Sequence, residues 1–319
     1  MTKPCSCGRL HSADLDRVAD ELADAVIEGE CCRAVEGGLV RTVTASVMAH
    51  LAAALSVVKR RRRPRRVPDF DDYYRFLAPY EARMKRSLNR VWDEQRRTIV
   101  ANMKRTPKAA RFDITRKDLT FDELIEQWMF PKGPANKTVQ VVYKDLALKL
   151  MVAAAVREMQ TNPAIATNWD VFNPNVEKWV AGYSIELADE INTATLDKLK
   201  RSLYDGWKAG ESIPDLTNRV RDLYEEFERY RAASIARTES IRSSSQAAKM
   251  TYEASGVVDR IGWASTPDER ECELCAALDG KVVPLGEAFF VDNFGDGTTA
   301  PRHVNCRCAN YPVLEGETL

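Results

Sequence analysis

The amino-acid sequence predicts a mainly α-helical protein, in which a helical body is followed by a small, loop-rich α+β lobe at the C-terminal end. Two observations lead to this fold class. Apolar residues recur at three- and four-residue steps through most of the chain up to Gly256, which is the spacing of one face of an α-helix. After Gly256 this period is lost, and glycine and proline follow at short intervals, which is typical of turns and short strands.

The composition is that of a globular protein with an ordinary core. The 319 residues are 45% hydrophobic and 29% charged, which excludes wholesale disorder, and the length suits about two domains. The longest nearly apolar run, Ala45–Val58, is shorter than the roughly 20 residues of a membrane-spanning helix, so we expect no membrane anchor. The first residues lack an apolar stretch followed by a cleavage site, so we expect no signal peptide.

Composition shifts along the chain predict four parts. The stretch from Ser12 to Val58 has helical spacing with a break at Gly37–Gly38, and the following Pro- and Arg-rich stretch interrupts regular structure. The predicted parts are a helical hairpin at 1–58, a basic Pro/Arg linker at 59–68, a helical body at 69–209, and a C-terminal domain with a Cys/His site at 210–319.

Caps and helix breakers set the predicted helices of the body and of the C-terminal domain. Asp69 begins a helix that runs to about Ala110, and Thr120 with Glu123 forms a capping box for a short helix to Phe130. The remaining helices are predicted at 136–160, at 174–209, from 212 or 214 to about 231, and at 232–255, the last being closed by Gly256. Asp279–Gly280, between two short apolar segments, predicts a hairpin.

The formal net charge of zero hides an uneven distribution. Residues 59–117 carry 20 basic and 7 acidic groups, whereas residues 118–319 carry 22 and 32. A dense basic block binds polyanions, because each phosphate that it neutralises releases counterions. The alternative is a solvated linker followed by a charged helix face. The predicted nucleic-acid contacts are Arg60, Arg61, Arg62, Arg63, Arg65 and Arg66.

The C-terminal cysteines have the spacing of a structural metal site. Cys272 and Cys275 form a Cys-x-x-Cys pair, and His303, Cys306 and Cys308 follow after 27 residues. Thiolate and imidazole ligands in this pattern suit a tetrahedral structural Zn²⁺, which would staple the small lobe, although such sites also accept iron. The sequence favours Cys272, Cys275, His303 and Cys306 as the ligands, with Cys308 as a substitute for one of the last two. Buried free thiols or a redox pair are the alternative.

A second metal site near the N-terminus is an open question. Its candidate ligands are Cys5, Cys7, His11, Cys31 and Cys32, whose spacing is irregular. Catalysis finds little support in the sequence, since no phosphate-binding loop, nucleophile elbow or HExxH motif occurs. Arg237-Thr238-Glu239 superficially suits ADP-ribosyl transfer, but its helical flanks favour a structural ion pair. We therefore expect a protein that is not an enzyme.

The C-terminal third resembles the phage Mu F-like head morphogenesis family, the minor head proteins. The resemblance begins near Gly210-Glu211-Ser212, includes Ile235–Glu239, and is most specific at Cys272–Lys281 and at Ala300–Cys308. The closing family pattern reads Pro-Pro-x-His-x-Asn-Cys-Arg-Cys, and here Ala300 stands in place of the first proline.

The resemblance implies a minor capsid protein inside the phage head, near the portal vertex. Its implied partners are the portal protein, the major capsid or scaffold protein, and packaged DNA, which the basic arm would contact without sequence preference. Trp263, Asp279 and Gly280 are expected to shape the lobe, and Arg237 with Glu239 to tie the preceding helix to it. Two rival hypotheses are an enzyme of phage origin, a zinc-finger nuclease or an ADP-ribosyltransferase, and a DNA-binding regulator that reads sequence through the zinc module.

Overall fold

The computed structural model describes residues 67–106, 120–165, 174–291 and 295–317. Residues 67–159, and those described from 164 onward, belong to one compact unit. It combines a helical body with a small strand-containing C-terminal lobe, as the sequence predicts. The predicted hairpin at 1–58 and most of the linker lie outside the described residues, so the predicted division into four parts stays a prediction.

The first described helix, α1, is the longest and supplies one side of the core. It spans Phe70–Arg105, and the Asp69 carboxylate caps it by accepting from the Asp72 backbone N–H at 3.3 Å. Its apolar stripe is buried, with Trp92 and Ile99 fully excluded from solvent. The helix ends at Arg105, short of the predicted Ala110.

Three further helices complete the body before the C-terminal domain. They are α2 (Phe121–Trp128), α3 (Lys132–Thr161) and α4 (Pro174–Lys208). The predicted capping box is confirmed, since Thr120 and Glu123 exchange side-chain to backbone hydrogen bonds at the start of α2. A row of side-chain amides joins three helices, because the buried Gln95 of α1 donates to the buried Asn192 of α4 at 2.9 Å and Asn192 donates to the partly buried Asn136 of α3 at 2.8 Å.

Two helices and a π-helical turn then run back along α1. Helix α5 (Ile213–Glu226) starts at a second capping box, formed by Ser212 and Asp215. The π-helical turn Phe227–Arg231 leads without a break into α6 (Ala232–Ser255), which ends at Gly256 in the left-handed conformation with φ 67°. Thr217 contacts Met103, Tyr224 contacts Gln95 and Arg237 pairs with Glu81, so this helical pair packs antiparallel against α1.

The C-terminal lobe contains a three-stranded antiparallel sheet and a two-stranded ribbon. The strands are β1 (Val258–Ala264), β2 (Val282–Pro284), β3 (Phe289–Val291), β4 (Gly295–Gly297) and β5 (Ala309–Leu314), with the short helix α7 (Glu273–Leu278) between β1 and β2. The sheet has the order β2–β1–β5, and β3 pairs with β4.

The turn at Asp279–Gly280 differs from the predicted hairpin. Asp279 ends α7, and Gly280 (φ 71°) donates its N–H to the Trp263 carbonyl at 2.9 Å. Asp279 also accepts from the Ser265 backbone N–H at 2.8 Å, and Trp263 is fully buried. The expectation that Trp263, Asp279 and Gly280 shape the lobe is therefore confirmed. The turn itself joins a helix to a strand, because α7 lies between the paired strands β1 and β2.

No helix among the described residues combines the length and apolar character needed to cross a membrane.

Candidate metal centre

The fold brings together all five cysteine and histidine side chains that the sequence singles out in the lobe. They form two groups of three, and within each group the ligand atoms lie within 4.8 Å of one another. One group contains Cys272, Cys275 and His303, and the other contains Cys275, Cys306 and Cys308. Cys275 belongs to both groups and is therefore the centre of the cluster.

Helix α7 positions the first two donors. Cys272 is its N-cap, and the Cys272 sulfur accepts from the Cys275 backbone N–H at 3.5 Å. Because Cys275 lies one turn further along, both sulfurs face the same side at the start of the helix. A Cys-x-x-Cys pair at a helix N-terminus thus gives the geometry that the spacing predicts.

Three of the separations between donors are close to those around a tetrahedral ion. The Nε2 atom of His303 lies 3.3 Å from the Cys272 sulfur and 3.1 Å from the Cys275 sulfur, and the sulfurs of Cys275 and Cys306 are 3.9 Å apart. Ligand bonds of about 2.1–2.3 Å around zinc place neighbouring donors roughly 3.5–3.8 Å from one another. The described residues can thus hold a metal ion, while Cys306 and Cys308 both remain candidates for its fourth ligand.

The His303 ring is oriented for coordination through Nε2. Its Nδ1 donates to the Val304 carbonyl, with 2.9 Å between the two atoms. A neutral imidazole that donates from Nδ1 keeps a lone pair on Nε2. Metal-binding histidines are usually fixed in this way by a backbone carbonyl or a carboxylate.

Burial and mutual hydrogen bonding perturb the thiols. Cys275, Cys306 and Cys308 are almost completely buried, whereas Cys272 is partly exposed. Hydrogen bonds from the Cys275 and Cys308 thiols lower the pKa of Cys306, and the hydrogen bond to Cys306 raises the pKa of Cys275. One sulfur of the cluster is thereby favoured as a thiolate, which is the form that binds metal.

Residues of the helical body and of the lobe hold the segment that carries His303, Cys306 and Cys308. The Tyr74 hydroxyl of α1 and the Thr266 hydroxyl both donate to the Arg307 carbonyl, at 2.6 and 2.9 Å. The Arg307 guanidinium makes a bidentate contact with the Asp268 carboxylate. Asp268 is among the residues of the family resemblance, whereas nothing in the local sequence pointed to Tyr74, which lies more than 200 residues away along the chain.

The segment Arg237-Thr238-Glu239 plays a structural part that differs from the expected one. Arg237 pairs with Glu81 of α1 at 3.8 Å, and the buried Glu239 pairs with Arg242 one turn along its own helix at 3.3 Å. Desolvation raises the pKa of the Glu239 carboxyl. Arg237 therefore joins α6 to α1, and Glu239 forms an ion pair within α6. Thr238, which lies between them, contacts the lobe.

The remaining predicted sites cannot be placed. The basic arm with Arg60–Arg66, and the N-terminal candidates Cys5, Cys7, His11, Cys31 and Cys32, lie outside the described residues. Within the described ranges, His303 is the single histidine, so a second imidazole that could act as a general base beside the cluster is absent from this part of the chain.

Comparison with known proteins supports the resemblance. The chain is 27% identical over 155 residues to the uncharacterized protein YqbB of Bacillus subtilis (strain 168), which covers 44% of this chain and 49% of the relative. The chain thus spans about half the length of the curated relative that it matches. No solved structure matches the chain.

The family comparison identifies the region that contains the cluster. Residues 197–311 match the model described as Phage Mu protein F like protein, and this range includes all five candidate ligands. The match starts within α4, upstream of the Gly210 at which the quoted resemblance begins. It confirms the resemblance that the sequence predicts. Residues 197–311 are thus similar to the Phage Mu protein F like family.

Proposed function

We propose that this protein is a non-catalytic minor capsid protein of a phage head, located inside the capsid near the portal vertex. In this role it takes part in procapsid assembly and in genome packaging or ejection. The observation that carries the proposal is the family match over residues 197–311, the segment whose thiols and imidazole form two groups of three that share the buried Cys275. Its proposed protein partners are the portal protein and the major capsid or scaffold protein.

The cluster is proposed to hold a structural zinc ion. Cys272, Cys275, His303 and Cys306 would bind it, with Cys308 as the substitute for one of the last two. The three measured donor separations and the Nδ1 hydrogen bond of His303 support this assignment. A closed shell of three thiolates and one imidazole leaves no position for a reacting water, which is why a staple is favoured over a catalytic ion.

Elemental mass spectrometry of the purified protein tests the metal directly. We expect about one zinc per chain in the wild type and none in the double variant Cys272→Ser/Cys275→Ser. Thermal unfolding followed in parallel should show a loss of C-terminal lobe stability in the variant, because bound metal contributes folding free energy. Protein purified without chelator that contains no stoichiometric metal would contradict the zinc assignment.

Association with the portal is tested by assembly. The chain is expressed together with the portal, scaffold and major capsid proteins of its own phage, with and without the portal. We expect it to enter procapsids only when the portal is present. Incorporation that is equal in procapsids lacking the portal would contradict a position at the portal vertex.

Contact with DNA is proposed for the basic arm at Arg60–Arg66. The arm is expected to bind duplex DNA without sequence preference, since arginine pairs with phosphate irrespective of the base. In Arg62→Gln/Arg63→Gln, the plot of the logarithm of the DNA association constant against the logarithm of the salt concentration should become less steep by about 2, because two phosphate contacts are lost. The matched control Arg201→Gln/Arg221→Gln removes two exposed cations from α4 and α5 and should leave the slope unchanged. Equal slopes in all three proteins would remove the arm from the proposal.

A further inference from the structure

A tight turn carries two of the candidate metal ligands and is closed by its own backbone. The Cys306 N–H donates to the His303 carbonyl at 3.2 Å, so Val304 and Asn305 occupy the central positions of the turn. Asn305 has φ 61°, and among the described residues it is the one non-glycine residue with positive φ. Asparagine tolerates this conformation better than most residues, which suits the third position of such a turn.

The same asparagine joins the turn to helix α6 by two hydrogen bonds. Its backbone N–H donates to the Thr238 hydroxyl at 3.0 Å, and its side-chain Nδ2 donates to the Ser234 hydroxyl, also at 3.0 Å. Ser234 and Thr238 lie one helical turn apart and therefore face the same side. The Thr238 hydroxyl in turn donates to the Ser234 carbonyl at 2.8 Å, so its direction is fixed by the helix itself.

The chain on the other side of Cys306 is also anchored. The Arg307 carbonyl accepts from Tyr74 of α1 and from Thr266. Cys306 thus lies between two points that are fastened to residues outside the turn, and His303 lies between Asn305 and Arg302, whose guanidinium donates to the Phe289 carbonyl at 2.9 Å. A shift of Asn305 would move the His303 ring relative to Cys275, which is 3.1 Å from its Nε2 atom.

We propose that Asn305 is a positioning residue for the metal centre. Its hydrogen bonds to Thr238 and Ser234 hold His303 and Cys306 in the binding arrangement, and they couple metal binding to the docking of the turn on α6. The inference rests on the metal centre of the proposed function. Because such coupling is reciprocal, bound metal must stabilise the contact with α6 as much as that contact strengthens metal binding.

Thr238→Val tests the coupling at a residue that is not a candidate ligand. The substitution keeps the branched shape but removes the oxygen that accepts from Asn305. Thr251→Val is the matched control, because Thr251 lies on the same helix, is fully buried and makes the same 2.8 Å bond to the carbonyl four residues earlier. Zinc affinity is measured on the full chain by competition with a chromophoric chelator.

We expect Thr238→Val to bind zinc about 10–100-fold more weakly than the wild type, the range found when residues supporting metal ligands are removed. Thr251→Val should bind zinc as the wild type does. Hydrogen exchange gives the reciprocal readout: zinc should slow exchange in the first turns of α6 in the wild type, but not in Thr238→Val. If the contact were merely structural, Thr238→Val would change hydrogen exchange in α6 by the same amount with zinc and without it.

A second variant keeps the test informative if Thr238→Val folds poorly. Asn305→Gly retains the positive φ and the backbone N–H, and it loses only the amide that donates to Ser234, so we expect a stable fold with weaker zinc binding. Wild-type zinc affinity in the folded variants would overturn the proposal while leaving the metal centre intact. A wild-type protein that binds no zinc would instead overturn the metal centre itself, so the two failures are distinguishable.

Discussion

Replacing Cys275 by serine tests the arrangement of the metal centre most directly. Cys275 is the donor that the two groups of three have in common. Without its thiolate, one group is reduced to Cys272 with His303 and the other to Cys306 with Cys308. Cys308→Ser is the matched variant, because it leaves the group around His303 complete and keeps Cys306 at 3.9 Å from Cys275.

The expected effect follows from mass action. Zinc buffered at a thousand times its dissociation constant stabilises the folded state by about 4 kcal/mol. Each kcal/mol moves the unfolding midpoint of a unit of this size by about 2–4 °C, so zinc should raise the midpoint of the wild type by about 8–16 °C. Cys275→Ser should lose the whole of this shift, and Cys308→Ser should keep most of it.

The assay is thermal unfolding followed by circular dichroism, with buffered zinc and with chelator. Measuring each variant in both conditions separates any packing defect of the serine from the loss of metal binding, because the packing defect is present without zinc too. A zinc-induced shift in Cys275→Ser equal to that of the wild type would refute the central role of Cys275. So would a shift that disappears in Cys308→Ser while it persists in Cys275→Ser.

Two further predictions concern the lobe. Gly262→Ala would place a Cβ 2.2 Å from Cζ of Tyr311 and should lower the free energy of unfolding by about 1–3 kcal/mol. Gly182→Ala on α4, where nothing lies within 4 Å of the added Cβ, should raise it by about 0.5–1 kcal/mol. Urea denaturation checks both variants, and a Gly262→Ala protein more stable than Gly182→Ala would contradict the packing around Tyr311. Arg307 lowers the pKa of Asp268, so the pair stabilises the fold above the unfolded-state pKa of about 4 and is lost as the pH falls through the lower folded-state value. The difference in unfolding midpoint between wild type and Asp268→Asn should therefore be largest near pH 7 and shrink below about pH 4, and a difference that stays constant down to pH 3 would contradict this.

Local signals determined most of the helical architecture. The capping boxes at Thr120 and Ser212, the proline at Pro174 and the glycine at Gly256 all mark observed helix ends to within a residue or two. These signals are readable because a cap satisfies backbone groups within three or four residues of itself. The predicted end of α1 at about Ala110 lies five residues beyond the observed end at Arg105, since no comparable cap or breaker marks Arg105.

The sequence by itself also determined which side chains come together in the Cys/His cluster. Cys-x-x-Cys and the later His-x-x-Cys-x-Cys are local patterns, and the requirement that a metal be surrounded by several donors implies that the two must meet. The tertiary structure alone decided how they meet. In the folded chain Cys275 is the shared donor, and Tyr74, Ser234 and Thr238 hydrogen-bond to the segment that carries the candidate ligands. Such contacts join residues that are tens to hundreds of positions apart, so they depend on how α1, α6 and the lobe pack, and no local pattern of residues encodes that packing.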